Sequence, residues 1–166
     1  MANSSRSAWF GQGQVRPGYD PSMRTIEDAL EVAVEAHRGQ LYPAPEPQPF
    51  ILHPLRVMLG VSPGTAQIVA VLHDVVEDSP VTLRDLADKG FDKAVVEAVD
   101  CLTRRADEPY ADYIKRVATN RLASEVKLSD LADNLANNRA LLPTRDNLDR
   151  ILRYEDALLV LGADSN

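Results

Sequence analysis

From Thr25 onward, apolar residues recur at three- and four-residue intervals, and proline or glycine repeatedly interrupts them. That spacing is the period of an α-helix, and no convincing stretch alternates in the manner of a half-buried strand. The pattern restricts the chain to an all-α fold of helices joined by short loops. Ile26, Leu30, Val32, Ala33 and Val34 mark a first helix from Thr25 to about Gln40, with Thr25 and Asp28 placed as a capping box that uses Asp. The stretch "LYPAPEPQPFI" holds four prolines and reads as a loop. "HPLRVMLG" starts a second helix, with Pro54 in its first turn and Gly60 at its end.

A third helix is predicted over "SPGTAQIVAVLHDVVED", stopped by Ser79-Pro80. Thr82 to Asp85 opens a fourth, closed at Gly90, and residues 92–103 form a fifth with Val95, Val96, Val99 and Leu102 on one side. A sixth covers about 110–118, "RLASEVKLSDLADNLANN" makes a seventh, and 144–162 an eighth. The expectation is a bundle of about seven to eight helices, without internal repeats.

The 166 residues fit one domain, and 45% hydrophobic content is enough for a core. Residues 1–20, rich in Ser and Gly and lacking a period, read as a flexible N-terminal arm, leaving 21–166 as the domain. A net charge of −7 argues against binding a nucleic acid polymer, though a bound metal would still admit a small anionic substrate. Cys101 is the only cysteine, so an intrachain disulfide or a thiolate zinc site is excluded and a cytoplasmic location is expected. Neither a membrane-spanning run nor a signal peptide is evident. The arm or an exposed apolar helix face could serve a homo-oligomer.

The segment "VAVLHDVVEDSP" places four ionisable groups in a valine-rich run. On a continuous wheel of about 100° per residue, Ile68, Leu72, Val75 and Val76 share one side. His73, Asp74, Glu77 and Asp78 share the other, without a Lys or Arg to offset three carboxylates. A solvated polar face and a metal or catalytic site both remain open on this ground. The other histidines are His37, which suits a structural role at the end of the first helix, and His53, which sits at a loop-to-helix junction. In "VKLSDLADNL", Asp130, Asp133 and Asn134 gather opposite Leu128, Leu131 and Leu135, which is also what any amphipathic helix would show. A set of two His and two Asp suits Mn²⁺, Fe²⁺, Co²⁺ or Zn²⁺.

Taken in order, "AHRGQ", "FILHPLRV", "AVLHDVVEDS" and "VKLSDLADNL" resemble the HD-domain phosphohydrolases. More narrowly, the chain resembles the (p)ppGpp hydrolase branch, meaning the RelA/SpoT hydrolase domain and its small stand-alone relatives, over about residues 25–160. The resemblance implies an all-α HD-domain bundle around one divalent metal, usually Mn²⁺. It assigns metal ligation to His53, His73, Asp74 and Asp130, orientation and activation of the attacking water to Glu77 and Asp78, and a place near the substrate to Asn134. Lys127 and Arg38 are expected to supply basic groups to the substrate, with Arg56, Arg104 and Arg105 as further sources. The implied reaction is removal of the 3′-pyrophosphate from guanosine tetra- or pentaphosphate by a water activated at the metal. With no synthetase domain after Asn166, a stand-alone hydrolase is expected. The alternatives are an HD phosphohydrolase for another nucleotide or phosphate ester, and a weakly active nucleotide-binding module. One departure bears on substrate choice: Tyr42-Pro43 stands where the family usually carries an Arg-Lys pair.

Overall fold

The structure is a computed structural model and describes residues 24–163. The expected arm at 1–20 lies outside the described residues. Nine helical segments and one small hairpin make up the described fold.

Helix α1 (Ile26–Ala36) begins at Thr25, whose N–H donates to Asp28 Oδ2 at 2.8 Å, completing the expected capping box. It ends earlier than expected, at His37, where the chain turns through Gly39 at a φ of 79° that glycine adopts without strain. The proline-rich loop forms a short antiparallel hairpin of β1 (Leu41–Tyr42) and β2 (Gln48–Pro49), with Leu41 opposite Pro49 and Tyr42 opposite Gln48. Two-residue strands have no alternation to detect, which is why this hairpin has no signature in the sequence.

Helix α2 (Leu52–Leu59) follows, with Pro54 in its first turn. The predicted third helix is in fact two segments, α3 (Thr65–Leu72) and α4 (Val75–Asp78), with His73 and Asp74 in a turn between them. The assumption of one continuous wheel is therefore corrected at the residues that matter most. α5 (Leu83–Asp88) is capped by Thr82, whose side chain accepts from the Asp85 N–H, and it ends at Gly90 with φ 88°. α6 (Lys93–Leu102), α7 (Tyr110–Ala118), α8 (Arg121–Ala140) and α9 (Arg145–Ala163) lie close to their predicted bounds.

α3 is the axle of the bundle. Its residues Val69, Ala70, Val71 and Leu72 are fully buried, and it packs against α1, α2, α6 and α8. A helix apolar around its circumference is stable only when surrounded in this way. Burial of side chains such as Leu72 and Leu131 stabilises the fold by about 1.5–3 kcal/mol each. α2 approaches α8 closely because Gly60 has no side chain: a Cβ there would collide with the Ser129 side chain, whose Oγ donates to Val57 O at 2.9 Å. This contact sets the separation between His53 on α2 and Asp130 on α8.

Candidate metal centre and active-site cavity

Four side chains from three elements meet beneath one cavity. His53 comes from the first turn of α2, His73 and Asp74 from the turn between α3 and α4, and Asp130 from the middle of α8. Both histidines and Asp130 are almost fully buried. His53 Nε2 lies 3.1 Å from Asp130 Oδ1 and 3.5 Å from Asp74 Oδ2. His73 Nε2 lies 3.1 Å from Asp74 Oδ2 and 3.6 Å from Asp130 Oδ1.

The protonation pattern gives this cluster its meaning. His73 Nδ1 sits 2.8 Å from the Ala70 carbonyl, an acceptor only, so Nδ1 carries the proton. In the neutral ring Nε2 then presents a lone pair, and it is buried without a hydrogen-bond partner among the described residues. Two carboxylate oxygens face the same point. Acceptors converging in a buried space repel one another unless a cation or a proton lies among them. His53, His73 and Asp130 could hold a metal ion, their ligand atoms all lying within 4.8 Å of one another, and Asp74 Oδ2 lies beside this mixed nitrogen and oxygen set, 3.1 Å from His73 Nε2. Burial opposes charge on both imidazoles, but hydrogen bonds to Asp130 and Asp133 raise the pKa of His53, and attraction to Asp74 with bonding to Asp130 raises that of His73 well above the usual range. Asp130 feels burial in the opposite direction and is nevertheless held well below the usual carboxylate range by Lys127 and the two histidines.

Above the cluster is a cavity of about 280 Å³ lined by His53, Asp74 and Asp130, and by Glu77, Asp78, Lys127 and Asn134. Burial raises the pKa of Glu77, against the Arg104 main-chain N–H that bonds it, and burial with repulsion from Asp74 raises that of Asp78. Lys127 Nζ lies 2.7 Å from Asp130 Oδ2, so it is engaged with a cluster carboxylate while facing the cavity. Burial works against its charge, but Asp130 more than compensates and lifts its pKa well above the usual value. Asn134 donates to Asp130 Oδ1 and accepts from Tyr42 Oη at 2.7 Å.

Of the expected site residues, the structure brings together His53, His73, Asp74, Glu77, Asp78, Lys127, Asp130 and Asn134. Arg38 is not among them: it is exposed and paired with Glu35 at 2.8 Å. Arg105 pairs with Asp100, and Arg56 lies behind His53 on Asp133. His37 keeps the structural role, stacked on Phe50 at 4.5 Å and bonded through Nδ1 to Gln40. The far wall was not foreseen from sequence. Tyr110, Tyr113, Tyr154 and Arg153 line it beside Arg104, and the guanidinium groups of Arg104 and Arg153 each lie within 6 Å of the Tyr110 ring centroid. Tyr42 lies against His53, their rings stacked at 4.6 Å and 12°.

No family model matches the chain. A guanosine-3′,5′-bis(diphosphate) 3′-pyrophosphohydrolase of Vibrio cholerae is 32% identical over 149 residues, covering 82% of this chain and 21% of that protein. The zebrafish (Danio rerio) guanosine-3′,5′-bis(diphosphate) 3′-pyrophosphohydrolase MESH1 is 30% identical over 128 residues, covering 72% of this chain and 71% of that protein. The chain belongs to the guanosine-3′,5′-bis(diphosphate) 3′-pyrophosphohydrolase family. Other members of this pyrophosphohydrolase family are much longer, and the chain spans about a fifth of the Vibrio cholerae protein. A solved structure, described as a metazoan orthologue of SpoT that hydrolyses ppGpp, superposes with a TM-score of 0.71 at 22% identity, covering 89% of this chain and 88% of that one. That likeness shows that the chain shares the fold of this neighbour. No helix among the described residues is long and apolar enough to cross a membrane.

Proposed function

We propose that the chain is a metal-dependent pyrophosphohydrolase that removes the 3′-pyrophosphate from guanosine tetra- or pentaphosphate. The observation that carries this reading is the convergence of two imidazole nitrogens and two carboxylate oxygens under a cavity that Arg104 and Arg153 also line. His53, His73, Asp74 and Asp130 would hold a divalent cation, which we assign as Mn²⁺. Such an ion supplies Lewis acidity toward phosphoryl oxygens and makes water a stronger nucleophile near neutral pH.

Glu77 and Asp78 orient the attacking water and accept its proton. Burial raises the pKa of both carboxyls, which makes them stronger bases than exposed carboxylates. Lys127 holds Asp130 ionised and in place. Arg104 and Arg153 offer positive charge to the phosphate remaining on the nucleotide, and the tyrosine wall offers flat faces and hydroxyls to the nucleoside. Tyr110 Oη is buried without a hydrogen-bond partner among the described residues, so a ligand group placed there would satisfy it. The reaction needs no covalent enzyme intermediate. We assign the cytoplasm as the place of action and a small nucleotide as the partner, with residues 21–166 as the catalytic domain.

A second reading is favoured by one specific feature. Tyr42, which replaces the first member of the usual Arg-Lys pair, is buried, stacked on His53 and bonded to Asn134. A base-recognition site altered in this way suits a different nucleotide or phosphate ester processed by the same chemistry. The test is to purify the protein, determine its metal, and assay ppGpp beside a nucleotide panel with added Mn²⁺. Pyrophosphate released from ppGpp is the expected result. Turnover of other nucleotides alone would transfer the assignment to the second reading. A filled metal site with no turnover of any of them would leave only a nucleotide-binding module.

A further inference from the structure

His53 has a second face. Its Nδ1 lies 2.7 Å from Asp133 Oδ2, and Asp133 is itself largely buried. A carboxylate only accepts, so Nδ1 donates, and in the neutral ring Nε2 is left as the lone pair. Arg56, one turn beyond His53 on α2, grips the same carboxylate: Nε donates to Oδ1 at 2.6 Å and Nη2 to Oδ2 at 3.1 Å. This two-point fork opposes rotation of the Asp133 carboxylate. On the other side of the arrangement, Tyr42 stacks on the His53 ring and carries the Arg56 guanidinium 5.4 Å from its own ring centroid. Asp133 lies one turn from Asp130, so α8 contributes both a cluster oxygen and the group behind the opposing imidazole.

We propose that Asp133, braced by Arg56, is a positioning residue that fixes the tautomer and ring orientation of His53, so that Nε2 is presented to Asp74, Asp130 and His73. The proposal rests on reading His53 as a metal ligand. The general chemistry is that a ligating imidazole which donates its other N–H to a carboxylate is both better oriented and more basic. An ion pair with only a structural role would need Arg56 and Asp133 but would not need His53 between Asp133 and the cluster. If Asp133 were removed, Nδ1 would lose its acceptor, and nothing would hold the proton there in preference to Nε2, where it blocks a cation.

The test uses the full chain with Mn²⁺ and Zn²⁺ as probes, without substrate. In Zn²⁺-loaded wild type, long-range ¹H–¹⁵N spectra should show His53 with a protonated Nδ1 and a downfield, slowly exchanging Hδ1. Asp133→Ala should weaken Mn²⁺ binding by about 10–100-fold. Asp133→Asn retains the shape but cannot accept from both His53 and Arg56 as a carboxylate does, so it should fall between wild type and Ala and shift Hδ1 upfield. If Asp133→Ala fails to fold by circular dichroism, Asp133→Asn and the wild-type spectrum decide. Unchanged Mn²⁺ affinity in the folded variants, or an unprotonated His53 Nδ1 in the loaded wild type, overturns the inference and leaves the proposed function standing. A wild type that binds neither metal overturns both.

Discussion

The main-chain N–H of Arg104 donates to Glu77 Oε2 at 2.9 Å, tying an acid on α4 to the loop between α6 and α7. Glu77 is thus held by a neutral donor, with burial outweighing that bond and raising its pKa. An orienting base of this kind is expected to affect turnover and spare the metal. Glu77→Gln should lower kcat by about 10²–10⁴-fold. Mn²⁺ affinity, measured by titration calorimetry without substrate, should remain within a few-fold of wild type. Parallel losses in binding and turnover would make Glu77 a ligand.

Arg116 is a second anchor of the loop that carries Arg104. Arg116 bonds both oxygens of Glu108, at 2.8 and 2.7 Å, and reaches the carbonyls of Asp100, Cys101 and Thr103. Arg116→Ala leaves Glu108 and three carbonyls without that donor, and should destabilise the fold by about 3 kcal/mol. Lysine offers one point charge in place of a planar fork and should not restore it. Urea denaturation measures the first effect. Hydrogen exchange at the Arg104 amide measures the second, and should accelerate.

The same pair sets a pH dependence. The bonds from Arg116 hold the Glu108 carboxyl at about 2, against an ordinary value of 4.5. A carboxyl lowered on folding contributes stability above its unfolded pKa and loses it as pH falls through the folded value. The stability gap between wild type and Glu108→Gln should therefore be constant from neutral pH down to about 5, then close toward pH 2. A gap that widened with acidity would refute the assignment. Urea midpoints across this range decide it.

Metal removal should also be visible as stability. The buried cluster is relieved of repulsion by a cation, so binding favours the folded chain. Going from no metal to a free concentration of about one hundred times Kd should add about 2.7 kcal/mol. Calorimetry with Mn²⁺ against chelator checks it, and His73→Ala should abolish the difference.

Much of this molecule is readable from its residues, for reasons that differ by element. α7 was legible because its apolar period is regular, and the Thr82–Asp85 capping box marked α5 directly. The grouping of His53, His73 and Asp130 was legible through the ordered motifs. Tyr110 and Tyr154 were not, since tyrosines at helical spacing read equally well as core, and only tertiary packing turns them to a cavity. The direction of Arg38 was not legible either, because an arginine beside a functional motif carries no mark of where it points, and here it pairs locally with Glu35. Asp133 was visible on the polar face of α8, but its partners, His53 and Arg56, are 80 and 77 residues away in sequence.

The turn at His73-Asp74 has a consequence for how this protein can change. In an unbroken helix, neighbouring residues point about 100° apart. Here His73 and Asp74 keep right-handed helical angles in the turn between α3 and α4, yet His73 Nε2 and Asp74 Oδ2 lie 3.1 Å apart. The rotamers of the two side chains bring them together, so a substitution beside the turn that changed either rotamer would separate the pair without altering the helices. Selection on the stability of the bundle alone would therefore leave this contact unguarded.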